Sequence, residues 1–199
     1  MILFGDLAPG QAVTIKGLCE DVGAGMTPVR EAIRRLTAEG ALDFLGNRRV
    51  CVPELTLSQL DELAFARCSV EPKLAYLATK NLTPELIEEL ETIDAALNRA
   101  ITLGDIKGYL ASNHQFHLRL YEAADAGILL SIAHMLLLRV GPSLRVVCGR
   151  FGTFQLPDLH EEALAAMRRS DAQGVADAVQ KDLIQGIDQI RQSILGPEI

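Results

Sequence analysis

Four side chains able to hold a metal ion interrupt otherwise apolar stripes in the second half of this 199-residue chain. Asn113 and His117 stand four residues apart in a segment whose helical face carries Ile106, Tyr109, Leu110, Phe116 and Leu120. His160 is in line with Ala163, Leu164 and Met167, and Asp182 shares a stripe with Val175, Ala178 and Val179. Burying a polar group without a partner costs about 2–7 kcal/mol even when it is neutral, so each of these groups needs a partner inside the protein. For any one histidine alone, a hydrogen bond to backbone would suffice. Three helices aiming such groups at one pocket favour a divalent cation instead: neutral imidazoles and a carboxylate suit Zn²⁺, Ni²⁺ or Mn²⁺, and facing helices of a bundle commonly build such sites. His114 falls on the flank of its helix, as a surface residue or one just outside the ligand shell. His134 lies in an apolar run and reads as core packing or pocket lining.

A second set of residues points to a different chemistry. In "MTPVREAIRRLTAEG", residues 26–40, Val29, Ala32, Ile33 and Leu36 form one helical stripe. Thr27, Arg30, Glu31, Arg34, Arg35 and Ala38 lie on the other side, which is net basic, with Arg30 and Arg34 stacked one turn apart. A short helix precedes this segment, and a hairpin with Arg48 and Arg49 at its turn follows. Helix, turn, helix and basic hairpin is the layout of a winged helix-turn-helix. In that layout the second helix presents its N-terminal residues to base edges in the major groove, and the hairpin reaches the flanking backbone or the minor groove. Arginine suits both tasks, because its planar fork binds guanine bidentately or grips phosphate. The competing reading is an ordinary solvated face, on which a few arginines are common.

These groups must be positioned by a largely helical scaffold. Leu, Ala, Ile and Val dominate the sequence and Trp is absent, a composition that suits helices packed on helices. Thr14 predicts a cap for a helix over 15–22. Thr27 before Pro28 predicts an N-cap with proline at the first helical position, and Gly40 a stop. "ALDFLGNRRVCVPEL" predicts two short strands around a Gly-Asn turn. Thr56, Thr83 and Asp105 predict helix starts, with ends near Thr79, Gly104 and Ala124. Residues 127–140 and 142–149 form one helix interrupted at Gly141-Pro142, or two; Pro157 starts another, and Ser170 caps the last. The expected fold is mostly α: a winged helix-turn-helix over residues 1–55 and an antiparallel all-helical bundle over 56–199.

Bulk properties narrow the function classes. The net charge of −7 argues against non-specific polyanion binding by the whole molecule. A local basic patch is still compatible, since electrostatics act over about 10 Å in physiological salt. The four cysteines are scattered without a CxxC pair, consistent with reduced thiols in a cytoplasmic protein. No uncharged apolar run reaches the roughly 18 residues of a membrane span: "ILLSIAHMLLLRV" is short and contains His134 and Arg139. No HExxH, P-loop, GxSxG or dinucleotide fingerprint occurs. An enzyme reading would therefore rest on a metal-bound water alone.

The stretch "GDLAPGQAVTIKGLCEDVGAGMTPVREAIRRLTAEGALDFLGNRRVCV" resembles the DNA-binding domain of GntR-family transcription regulators, with their G-x-L-x-P-G opening, P-V-R-E-A core and wing. "FARCSVEPKLAYLA" and "NHQFHLRLYEAA" resemble the first-helix and metal-helix patterns of the FCD effector domain of the FadR-like subgroup. Together the resemblance spans almost the whole chain. It implies a ligand-responsive regulator, not an enzyme, that binds a double-stranded DNA operator as a homodimer through Thr27, Arg30, Arg34, Arg48 and Arg49. The resemblance also implies metal ligands at Asn113, His117 and His160, with Asp182 where the family usually has a third histidine. Arg67, one turn before Glu71, resembles a position facing the effector pocket, with Arg139, Arg145 and His134 as further candidates there. Alternatively, Arg67 and Glu71 simply pair at i, i+4, worth about 0.2–0.5 kcal/mol. A small organic acid would place one carboxylate oxygen on the metal and another on Arg67. Three departures from the family pattern stand out: Gly25-Met26 replaces the usual Ser-Arg pair, Arg49 stands where glycine is usual, and the family's first helix, which normally precedes G-x-L-x-P-G, is short or missing, with only Met1 to Phe4 there. Met26 and the short start keep open a second alternative, an FCD-like binding module with a degenerate DNA-binding domain.

Overall fold

The computed structural model describes residues 1–4, 6–151 and 159–196, excluding the side chains of 145, 146 and 148–151. The N-terminal part is β1 (Ala12–Thr14), α1 (Ile15–Val22), α2 (Met26–Ala38), β2 (Asp43–Gly46) and β3 (Arg49–Cys51). Helices α3 (Leu57–Ala78), α4 (Pro84–Leu103), α5 (Ile106–Glu122), α6 (Gly127–Phe151), α7 (Leu159–Arg168) and α8 (Ala172–Leu195) follow, with a single 3₁₀ turn at Thr79–Asn81. The result is a small winged helix-turn-helix followed by a helical bundle.

The hairpin is part of a three-stranded antiparallel sheet in the order β1-β3-β2. Strand β1, not expected from the sequence, pairs Val13 with Val50 and then leads directly into α1, where the Thr14 side chain accepts from the Gly17 N–H. Three residues are too few for a period-2 pattern to show. In the wing, Asn47 and Arg48 both have left-handed backbone, φ 46° and 57°, as a two-residue type I′ turn requires. The register slips beside it between Phe44 and Gly46. Ile15, Leu18, Val29, Ile33, Leu42, Val50 and Val52 form the core of this part.

Helix α2 starts two residues earlier than expected. Gly25 is its N-cap, without a side-chain hydrogen bond, and Thr27 lies exposed inside the first turn. At the other end Gly40 is left-handed, φ 72°. The Gly40 N–H donates to the Thr37 carbonyl and the Ala41 N–H to the Leu36 carbonyl, the paired bonds of a Schellman cap.

In the bundle, Thr56 and Gln59 form a reciprocal capping box that starts α3. Thr83 with Pro84, and Asp105, start α4 and α5 as the sequence indicates. The cap of α8 is Asp171, not Ser170, which takes a left-handed backbone instead. Pro157 lies outside the described residues. The pair Gly141-Pro142 does not break α6, which runs through it. Proline removes only one intrahelical donor, and Gly141 serves packing: a Cβ there would meet the Leu3 carbonyl oxygen at 3.2 Å. Continuity has a second consequence. Gly127–Leu144 has a mean hydropathy of 1.6 over 18 residues, so by length and composition α6 would suffice to cross a membrane, contrary to the sequence expectation. Here it is a bundle helix packed on α3, α5 and α8.

The main core lies between α3, α4, α5, α7 and α8, around Leu74, Leu90, Phe116, Leu120, Leu164, Met167 and Val179. Each fully buried side chain of this size contributes about 1.5–3 kcal/mol. That core surrounds the polar site described next.

Candidate functional site

Helices α5, α7 and α8 bring His117, His160 and Asp182 together, with one ligand atom of each lying within 4.8 Å of the others. Asp182 Oδ2 is 3.0 Å from His117 Nε2, and the two Nε2 atoms are 3.4 Å apart. Both histidines are buried, and Asp182 is partly exposed. Phe116 stacks on the His160 ring at 4.0 Å between centroids and fixes its plane. Asn113 stands half-buried one turn before His117 on the same helix.

The outward-facing nitrogens are held by a second ring of groups. His160 Nδ1 lies 3.1 Å from Asp94 Oδ1, whose other oxygen accepts from the Asn98 side-chain amide at 3.1 Å. His117 Nδ1 lies 3.2 Å from the Tyr121 hydroxyl, which donates to Glu71 Oε2 at 2.9 Å. Glu71 in turn accepts from Arg67 through Nε at 2.5 Å and Nη2 at 3.1 Å. Burial, and then the Glu71 charge, push the Tyr121 hydroxyl well above its ordinary range, so it keeps its proton.

Proton counting then assigns the tautomers. Tyr121 has one hydrogen and gives it to Glu71, so its oxygen accepts from His117 Nδ1–H. Asp94 accepts from His160 Nδ1–H. With both rings neutral, the two Nε2 atoms would carry lone pairs toward Asp182; with one ring protonated, its Nε2–H would donate there. Burial pushes the Asp182 carboxyl up, but the His117 hydrogen bond and the charges of His117, His160 and Arg67 outweigh it and hold the carboxyl below its ordinary value. Two imidazole lone pairs and a carboxylate facing one another repel unless a positive charge lies among them: a proton on one ring, or a metal ion. Imidazole nitrogens oriented by carboxylate and hydroxyl partners are the usual environment of a bound divalent metal. The residues present thus fit such an ion.

The N-terminal part carries the basic surface. On α2, Val29 and Ile33 are buried while Thr27, Arg30, Glu31, Arg34 and Arg35 are exposed. Ala32, expected on the apolar stripe, is exposed as well. Arg34 lies 3.8 Å from Glu31, and Arg35 is bonded to Glu39 at 2.8 Å. Arg30 enters no ion pair among the described residues. Arg48 and Arg49 project from the wing, both exposed. Neither α2 nor the wing uses these arginines to build the fold.

Residues 1–52 match the gntR family of bacterial regulatory proteins, and residues 62–184 match the FCD domain. The chain belongs to the GntR family, with an FCD domain. It is 32% identical over 186 residues to the HTH-type transcriptional regulator McbR of Escherichia coli strain K12, covering 92% of this chain and 84% of that one. It is 23% identical over 192 residues to the HTH-type transcriptional repressor RspR of the same organism, covering 94% and 81%. The solved structure of E. coli McbR/YncC superposes with a TM-score of 0.89 at 31% identity, over 96% of this chain and 92% of that one. A GntR regulator from Rhodococcus sp. RHA1 shares the fold, with a TM-score of 0.74 at 18% identity over 96% and 91% of the two chains. These relatives are transcriptional regulators, not enzymes.

Several GntR-type expectations need correction in their details. Arg67 does not stand unpartnered: it is buried, and the Nε–Nη2 edge of its fork is taken by Glu71. Nor is this a weak surface pair, because its desolvation makes the loss of either partner costly. Arg139 is not beside the histidines' polar ring; its Nε donates to the backbone carbonyl of Glu39, 3.0 Å away. His134 is exposed and is not core packing. The Arg145 side chain lies outside the described residues. His114 is half-buried, with its ring edge-on to Phe4 at 6.1 Å.

Sequence reading missed Asp94 and Tyr121, and saw Glu71 only as a partner of Arg67. The signal for Asp94 was present: it falls on the stripe Leu86, Leu90, Ile93, Leu97 as a polar group on an apolar face. Arg67 and Glu71 likewise continue the stripe Leu60, Leu63, Leu74, Ala78. Tyr121 carried none, since a tyrosine at a core position looks like any other aromatic side chain.

Proposed function

We propose that this GntR-family protein is a cytoplasmic, ligand-responsive transcription regulator that grips operator DNA as a homodimer. Its FCD domain would hold a divalent metal through His117, His160 and Asp182, with Asn113 as the fourth ligand. The observation that carries the metal assignment is the convergence of two imidazole Nε2 atoms and a carboxylate, each ring oriented through its Nδ1 by Tyr121 or Asp94. A nitrogen–oxygen donor set of this kind suits Zn²⁺, Ni²⁺ or Mn²⁺.

The effector is a small organic acid. The effector's carboxylate would place one oxygen on the metal and another on the Nη1 side of Arg67, which Glu71 does not use. Thr27, Arg30 and Arg34 face the major groove, and Arg48 and Arg49 the flanking backbone or minor groove. One recognition helix reads only a few base pairs, and a two-fold arrangement doubles the site. The effector acts by binding more tightly to one placement of the winged domains than to another.

Gel shifts on upstream promoter fragments, with and without chelator, test both halves. Binding should strengthen as salt falls, and Arg30→Ala should weaken it by about 1–3 kcal/mol. Metal analysis should find a bound divalent ion in the wild type and none in His117→Ala or His160→Ala. Unchanged DNA binding by Arg30→Ala, or retained metal in both histidine variants, contradicts the corresponding half.

A further inference from the structure

We propose that Arg139 is a positioning residue: from the effector domain it caps recognition helix α2 and so fixes where the winged domain sits. The inference builds on the proposed DNA-binding role of α2.

The end of a helix leaves carbonyls without intrahelical donors. At α2 the Schellman bonds use the Leu36 and Thr37 carbonyls, and the Glu39 N–H uses that of Arg35. The Glu39 carbonyl is left over, and the donor that reaches it is Arg139 Nε of α6, 100 residues away in sequence. A guanidinium at this point also complements the negative end of the helix dipole. Gly40 is shaped to receive it: its backbone is left-handed, and a Cβ there would land on the Arg139 guanidinium. Glycine suits position 40 because its backbone is left-handed, and it lets the Arg139 side chain lie against that backbone.

The surroundings make one polar tie matter. Between Gly40 and Asp43 on the winged side and Gln59, Glu62 and Leu136 on the bundle side lies a hollow of about 360 Å³. The junction is not close-packed there, so contact area alone does not fix the placement. The same stretch of α6 seats Leu3 against Gly141, and Lys107 of α5 pairs with Asp6 at 3.0 Å. Helix α6 packs on α5, which carries His117, so the Arg139 tie lies one helix away from the proposed metal centre.

The test uses the full chain with Arg139→Ala and Arg139→Lys. In hydrogen exchange without DNA, amides at 40–42 should exchange about fivefold faster in Arg139→Ala and close to the wild-type rate in Arg139→Lys, which keeps a donor within reach. On a duplex selected with the wild-type protein, Arg139→Ala should bind the complete two-half-site fragment about tenfold more weakly, because mismatched placement lowers the effective concentration of the second domain. Its binding to a single half-site should stay within about twofold of wild type; a general loss of fold would weaken both equally. Unchanged exchange at 40–42 overturns the cap, and equal losses on both fragments overturn the positioning role. If the wild type selects no duplex, the DNA-binding reading fails, and the exchange experiment still decides whether Arg139 ties the domains.

Discussion

Asp94→Asn tests the metal centre through a residue that would never touch the ion. The substitution keeps the size of the side chain and its ability to accept from His160 Nδ1–H, but removes the charge. Asp94 is buried and 3.1 Å from His160 Nδ1, so solvent does little to screen the interaction. A hydrogen bond to a charged group contributes about 1.5–3 kcal/mol and a neutral one about 0.5–1.5 kcal/mol, so the change costs about 1–2 kcal/mol of His160's hold on the cation. At 1.36 kcal/mol per decade that is a five- to thirtyfold loss of affinity, roughly the range expected for a partner of a metal-bound histidine. The assay is competition between chelator-stripped protein and a chromophoric chelator for Zn²⁺, with His160→Ala as the variant expected to lose the site. Affinity within about twofold of wild type for Asp94→Asn would mean that His160 does not bind through Nε2 as the tautomer assignment requires. Wild-type affinity in His160→Ala would place the metal elsewhere.

Breaking the buried pair with Glu71→Gln leaves Arg67 uncompensated, so chemical denaturation should show a loss of about 3–5 kcal/mol, whereas Arg67→Met combined with Glu71→Leu should recover most of it. If the single variant loses less than about 1 kcal/mol, the pair is not desolvated as described. Burial, reinforced by the charges of His117 and His134 and opposed by Glu71, holds the His114 imidazole down at about 4. The folded state therefore binds fewer protons than the unfolded one, and stability is lost as pH falls from about 6.5 toward 4, by roughly 3 kcal/mol at most. Melting curves of His114→Gln should lack this component of the acid sensitivity; an identical pH profile would rule it out. Arg48→Gly relieves a left-handed arginine at the wing turn and should stabilise the protein by up to about 1 kcal/mol while weakening DNA binding, a trade-off visible by combining thermal melts with gel shifts. A gain in both would remove Arg48 from the interface.

Local signals were legible from sequence wherever one residue type has one physical solution. The caps at Thr14, Thr56, Thr83 and Asp105, the stop at Gly40 and the buried stripe Val29–Ile33 follow from which side chains satisfy helix ends and which faces shun water. The same periodicity singled out His117, His160 and Asp182, because a polar group on an apolar face demands a partner regardless of what that partner is. Which partner it finds depends on helices far apart in sequence. Packing of α4 against α5 and α7 is what brings Asp94 to His160, and packing of α3 on α5 and α8 is what lets Glu71 take both Arg67 and Tyr121. For that reason the buried Arg67–Glu71 pair, which sequence offered only as an i, i+4 alternative, appears in full only in the tertiary structure. Arg139, an arginine interrupting an apolar run, meets the Glu39 carbonyl at the end of α2 only because tertiary packing brings α6 beside that end. Periodicity shows which face of a helix is buried, but the angle and register at which two helices meet depend on side-chain shapes from both, and no single segment encodes them.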